Sequence, residues 1–92
     1  MGRIRTVEAI VHGRVQGVGY RFWTKGEAER RGLSGHVRNR PDGTVAAIFS
    51  GEAEAVAGML AACRQGPPGA RVTDVVARDG PAPAPGFHIL YD

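Results

Sequence analysis

Residues 7–23 read VEAIVHGRVQGVGYRFW, and the change of character along this one stretch decides the fold. Val7 to His12 is rich in β-branched and small apolar residues, as a half-buried strand requires, and Gly13 ends it. From about Arg21 the chain turns helical through Phe22, Trp23, Lys25, Glu27, Ala28 and Glu29, stopping near Gly32, where glycine suits a left-handed cap. Gly26 weakens that helix without forbidding it. Between strand and helix lies an irregular loop, Arg14-Val15-Gln16-Gly17-Val18-Gly19-Tyr20.

Working outward, Gly35 to Arg40 and Thr44 to Ser50 read as strands flanking Pro41-Asp42-Gly43, a turn signal that folds them into an antiparallel hairpin. A second helix is expected over Glu52 to Gln65, with Val56, Met59, Leu60 and Cys63 on one apolar stripe. Glu52 and Glu54 in its first turn and Arg64 in its last suit the helix dipole, and Gly66-Pro67-Pro68-Gly69 breaks it. A strand follows from Arg71 to Arg78, then a stiff connector, Pro81 to Gly86, and a short strand from Phe87 to Tyr91. This order predicts an α+β fold, a two-layer ferredoxin-like (split βαβ) sandwich: an antiparallel sheet of four to five strands with two helices on one face. Fold alone leaves the chemistry open.

The 92 residues are expected to form a single domain, residues 1–92. One cysteine excludes an internal disulfide, and no Cys/His cluster has metal-ligand spacing. The charged N-terminus lacks the apolar run of a signal peptide, and no run approaches a membrane span, so a cytoplasmic protein is expected. Every one of the 12 cations except Lys25 is arginine, which favours forked recognition of oxyanions. A net charge of +3 is too small to require nucleic acid.

The chemistry gathers in the loop. Gly13, Gly17 and Gly19 let backbone N–H groups converge into a concave nest for an oxyanion, and the following helix adds its unpaired N-terminal donors. The bland alternative is an ordinary glycine-rich turn. Arg21 bears on the choice, because a cation in the first helical turn opposes the dipole by up to about 1 kcal/mol, a conflict that a bound anion removes. A guanidinium pointing into solvent is the competing explanation.

The segments HGRVQGVGYRFW and GHVRNRPDGTV together resemble the paired signature of the acylphosphatase family, and the likeness continues through Gly66-Pro-Pro-Gly-Ala-Arg-Val72. The resemblance implies that Arg21 binds the phosphoryl oxygens, that the amides of Val15, Gln16, Gly17, Val18, Gly19 and Tyr20 cradle them, and that Asn39 positions the attacking water. Read without it, Asn39 is a strand-end residue before a turn. It further implies hydrolysis of small acyl phosphates, such as acetyl or carbamoyl phosphate, to a carboxylate and inorganic phosphate, with no cofactor or metal, by a monomer. His36 departs from the aromatic residue often found after Gly35, Arg40 from a small polar residue, and Tyr20 replaces phenylalanine.

Elementary chemistry agrees with that reaction. A carboxylate leaves as a weak base, its acid having a pKa of roughly 4 to 5, so no general acid is required. Phosphoryl transfer asks mainly for positioning and for neutralising the equatorial oxygens. His12, His36 and His88 are expected to be structural, Trp23, Phe22 and Met59 to lie in the core, and Cys63 to be inert packing. Arg14, Arg38 and Arg40 either surround the site with positive potential or form a solvated face. Two other readings stay open: a nonenzymatic RNA- or protein-binding module, for which the central strand supplies one aromatic, Phe49, and a carbamoyl-phosphate-handling partner of a maturation system.

Overall fold

The computed structural model describes residues 2–91. Strand β1 (Ile4–Arg14) is followed by helix α1 (Tyr20–Arg30), strands β2 (Ser34–Asn39) and β3 (Val45–Glu52), helix α2 (Ala53–Gln65), and strands β4 (Arg71–Asp79) and β5 (Phe87–Ile89). Each expected element is present. β1 runs past Gly13 because that glycine is a bulge within the strand: the register against β4 shifts between His12 and Gly13, and pairing resumes at Gly13 with Val72. A Cβ on Gly13 would sit 2.1 Å from the carbonyl oxygen of Arg71, at a φ of +122°. Only glycine permits that approach.

The sheet order is β4-β1-β3-β2-β5. β3 lies between β1 and β2 and pairs antiparallel with both, which is the split βαβ arrangement. Val7, Ala9 and Val11 of β1, Val37 of β2, Val45, Ala47 and Phe49 of β3 and Val75 of β4 meet Ala28 of α1 and Val56, Met59 and Cys63 of α2 in one core. The α2 stripe is as the periodicity requires. Phe49 points into this core and stacks on Phe87, centroids 5.8 Å apart, so the aromatic on which the RNA-binding reading leaned is not on the open face.

The last strand departs from the expected antiparallel sheet, since β5 pairs parallel with β2. β4 and β5 occupy opposite edges. Crossing four strand spacings of about 4.8 Å takes some 19 Å, within reach of seven polyproline-like residues at about 3.1 Å each. The connector leaves β4 with Gly80 N–H bonded to the Thr6 carbonyl and arrives with the Gly86 carbonyl accepting from Gly35 N–H. Both contacts lie near the starts of β1 and β2, so β5 begins level with the start of β2 and runs the same way.

Alternation along β2 sorts its side chains between the two faces. Gly35 and Val37 are buried on the helix side, and Asn39 follows in the same phase. His36, Arg38 and Arg40 take the opposite phase, and Arg38 and Arg40 line a groove on the open face with Glu8, Ile10, Ala46, Val76 and Arg78.

A candidate active site between the glycine loop and the end of β2

The loop from Val15 to Gly19 is held by side chains and leaves its backbone donors unused. Val15 and Tyr20 are buried. The Tyr20 hydroxyl donates to the Cys63 carbonyl at 2.7 Å, satisfying one of the last carbonyls of α2. Among the described residues no amide from Val15 to Phe22 donates to a backbone carbonyl; the first to do so is Trp23, to Gly19 at 3.0 Å. The amino end of α1 has no side-chain cap and no acidic residue in its first turn. A run of free N–H groups leading into an uncapped helix is a strong local anion site.

Gly17 and Gly19 have φ of +76° and +78°, and a Cβ at either would meet nothing within 4 Å. Their glycines serve backbone direction, whereas Gly13, expected to share the nest, serves the packing of β1 on β4. Gln16 has a role in addition to its amide. Its side-chain nitrogen donates to the carbonyls of Arg40 at 2.7 Å and Thr44 at 2.9 Å, tying the loop to the β2–β3 turn.

That tie brings the second half of the site into place. Arg21 and Asn39 line one pocket of about 140 Å³ together with Val15, Gly17, Gly19, Tyr20, Phe22, Ile89 and Tyr91. Its volume is below the ~300 Å³ at which drug-sized ligand sites begin, which suits a small oxyanion. The Arg21 guanidinium lies 4.9 Å from the centre of the Tyr91 ring, and one nitrogen donates to the Leu90 carbonyl at 3.4 Å. Among the described residues no carboxylate neutralises it, and its remaining donors are free for a ligand.

A family model described as acylphosphatase matches residues 7–89. The chain belongs to the acylphosphatase family. The acylphosphatase of Azorhizobium caulinodans is 56% identical over 87 residues, covering 91% of this chain and 92% of its own. The acylphosphatase of Bacillus subtilis superposes with a TM-score of 0.88 at 35% identity, over 97% of this chain and all of that one. Full-length HypF, in a phosphate- and nucleotide-bound form, matches with a TM-score of 0.84 over 99% of this chain but 12% of its own, at 20% identity, a likeness of fold alone. The enzyme is an acylphosphatase in its activity, acting on acyl phosphate and releasing phosphate.

Other readings divide. Met59 is buried and Trp23 packs against the core, but Phe22 is 79% exposed. The buried face of α1 is Tyr20, Thr24 and Ala28, so Phe22 lies off it. Phe22, Ile89 and Tyr91 line the pocket without having been expected there: Phe22 reads as core by its hydrophobicity, and Ile89 and Tyr91 depend on where the last strand pairs, which the sequence leaves open. Cys63 is buried, and burial pushes its thiol up to about 11, far from a nucleophile's range. His36 and His88 are register partners on neighbouring strands. His88 Nε2 lies 3.1 Å from the Pro85 carbonyl, and neither histidine lines the pocket. Arg38 and Arg40 belong to the open-face groove, with Arg40 3.8 Å from Asp42. Among the described residues no helix is long and apolar enough to cross a membrane.

Proposed function

We propose that this domain hydrolyses small acyl phosphates without metal, with Arg21 and the amides of Val15 to Tyr20 holding the phosphoryl group and Asn39 aiming the water. The observation that carries this reading is the convergence on one pocket of an unneutralised guanidinium, a partnerless arc of loop amides and a neutral side-chain amide. The guanidinium fork and the amides offset the charge of the equatorial oxygens as the bond to the leaving oxygen loosens. Asn39 accepts one proton of the water and sets its line of approach, contributing through orientation. The carboxylate departs unprotonated, so the absence of a histidine from the pocket lining costs nothing.

Benzoyl phosphate hydrolysis in excess chelator tests the mechanism. Full activity is expected, and activity lost in chelator but restored by a divalent cation would exclude it. The reading also takes the protein to act as a monomer in the cytoplasm. Sedimentation at assay concentration and fractionation of the source cells test these two expectations.

A further inference from the structure

The pocket carries more apolar surface than a phosphate needs. Besides the polar groups, it is lined by Phe22, Ile89 and Tyr91, with Phe22 79% and Tyr91 76% exposed. Large apolar side chains left open are few in this molecule, and among the described residues Ile4 and Val76, the others exposed to half or more, lie on β1 and β4 outside this pocket. The Phe22 ring, and the part of the Tyr91 ring that the Arg21 guanidinium leaves open, give up burial energy at about 25 cal/mol per Å² unless something covers them. Phe22 is fixed by α1, directly after Arg21. Ile89 and Tyr91 come from β5 and its continuation, placed there by the parallel pairing with β2.

An acyl phosphate has two ends with opposite demands. The phosphoryl end takes up the amides and the guanidinium. The acyl end is joined through the bridging oxygen, so it must lie within a few ångströms of the same groups, against whatever surface borders them. We propose that Phe22, Ile89 and Tyr91 form an acyl subsite, so that this enzyme selects acyl phosphates bearing an apolar, ring-sized acyl group over acetyl or carbamoyl phosphate. The proposal rests on the placement of the phosphoryl group given above. Carbamoyl phosphate would set a polar amine against side chains whose one polar atom is the Tyr91 hydroxyl, whereas a phenyl or branched alkyl group is dehydrated by contact with their apolar surface. Acetyl phosphate offers only a methyl group for the same contact.

The test compares benzoyl and acetyl phosphate on wild type, Phe22→Ala and Phe22→Leu, reading the change in the ratio of kcat/KM, which cancels the different intrinsic reactivities of the two anhydrides. Phe22→Ala is expected to lower kcat/KM for benzoyl phosphate about five- to tenfold, through KM, while acetyl phosphate and competitive inhibition by inorganic phosphate shift less than about twofold. Phe22→Leu should recover much of the loss, since an apolar contact is restored. Phe22 is exposed, and an unchanged melting temperature certifies the fold of each variant. Equal losses on both substrates, or no loss on either, would overturn the acyl subsite and leave the phosphate pocket standing. Wild-type protein that hydrolyses neither substrate would instead sink the reading on which the subsite rests.

Discussion

The glycine loop before α1 and the turn between β2 and β3 touch each other through Gln16 and treat their backbones in opposite ways. The turn consumes its own polar groups. Gly43 N–H donates to the Arg40 carbonyl, Arg40 N–H to the Thr44 carbonyl, and the Asp42 carboxylate accepts from both the amide and the hydroxyl of Thr44 at 3.0 and 2.6 Å. The loop leaves its amides unpaired from Val15 to Phe22 and borrows rigidity from buried Val15 and Tyr20 and from the Gln16 side chain. A backbone that binds ligand cannot also satisfy itself, so its shape must be held by side chains and by a neighbour that is self-sufficient.

Breaking the binding half of this comparison has the largest expected effect. Arg21→Ala should lower kcat/KM by about 10³ or more and abolish inhibition by inorganic phosphate, and Arg21→Lys should fail nearly as badly because charge is kept but the fork is lost. Both are read from steady-state kinetics on benzoyl phosphate. Asn39→Ala should cost about 10² in kcat while phosphate still inhibits, since the role proposed for Asn39 is to aim the water and not to hold the anion. Loss of phosphate inhibition with kcat preserved would reverse the roles assigned to these two residues.

The loop's own glycines separate structure from function. Gly13→Ala forces a Cβ onto the Arg71 carbonyl and should cost about 3 kcal/mol in denaturant unfolding. Gly19→Ala meets no atom but strains the φ of +78°, so about 1 to 2 kcal/mol is expected, with a larger proportional loss of phosphate affinity than Gly13→Ala causes in the protein that remains folded. Gln16→Ala unties the two regions. It should cost about 1 to 2 kcal/mol and weaken phosphate inhibition severalfold, with Gln16→Glu no better because a carboxylate cannot donate to the Arg40 and Thr44 carbonyls.

Acid should act on the self-sufficient half with the smallest effect. The hydroxyl and amide of Thr44 hold the Asp42 carboxyl below its ordinary value of 3.8. A depressed carboxyl contributes stability above the unfolded value, and that contribution is lost as pH falls through the folded one. The melting temperatures of wild type and Asp42→Asn should therefore differ at about pH 6 and converge in acid. A difference that persists below the folded pKa would mean that Asp42 acts through packing.

How much of this was legible varied with how local the cause was. The α2 stripe, the hairpin turn and the loop between β1 and α1 follow from neighbours in sequence, and all formed where expected. Phe22 was misread because hydrophobicity was taken for burial, whereas α1 buries the phase that carries Tyr20, Thr24 and Ala28. Arg38 and Arg40 stand beside Asn39 in sequence, yet strand alternation and the hairpin deliver them away from its pocket. Gly13 resembled Gly17 and Gly19 as a symbol, but its cause is a carbonyl on β4, far along the chain.

By itself the sequence determined the elements, the split βαβ order and a glycine loop ending in an arginine suited to an oxyanion, because periodicity, turn residues and side-chain chemistry are local properties, whereas Asn39 stood out only through the resemblance to the acylphosphatase family. Only the tertiary structure decided that Arg21 and Asn39 share one pocket, that Gln16 fastens the loop to the hairpin, and that the last strand brings Ile89 and Tyr91 to its edge. Those facts depend on strand pairing between distant segments, whose register and direction are set when the sheet assembles and not along the chain.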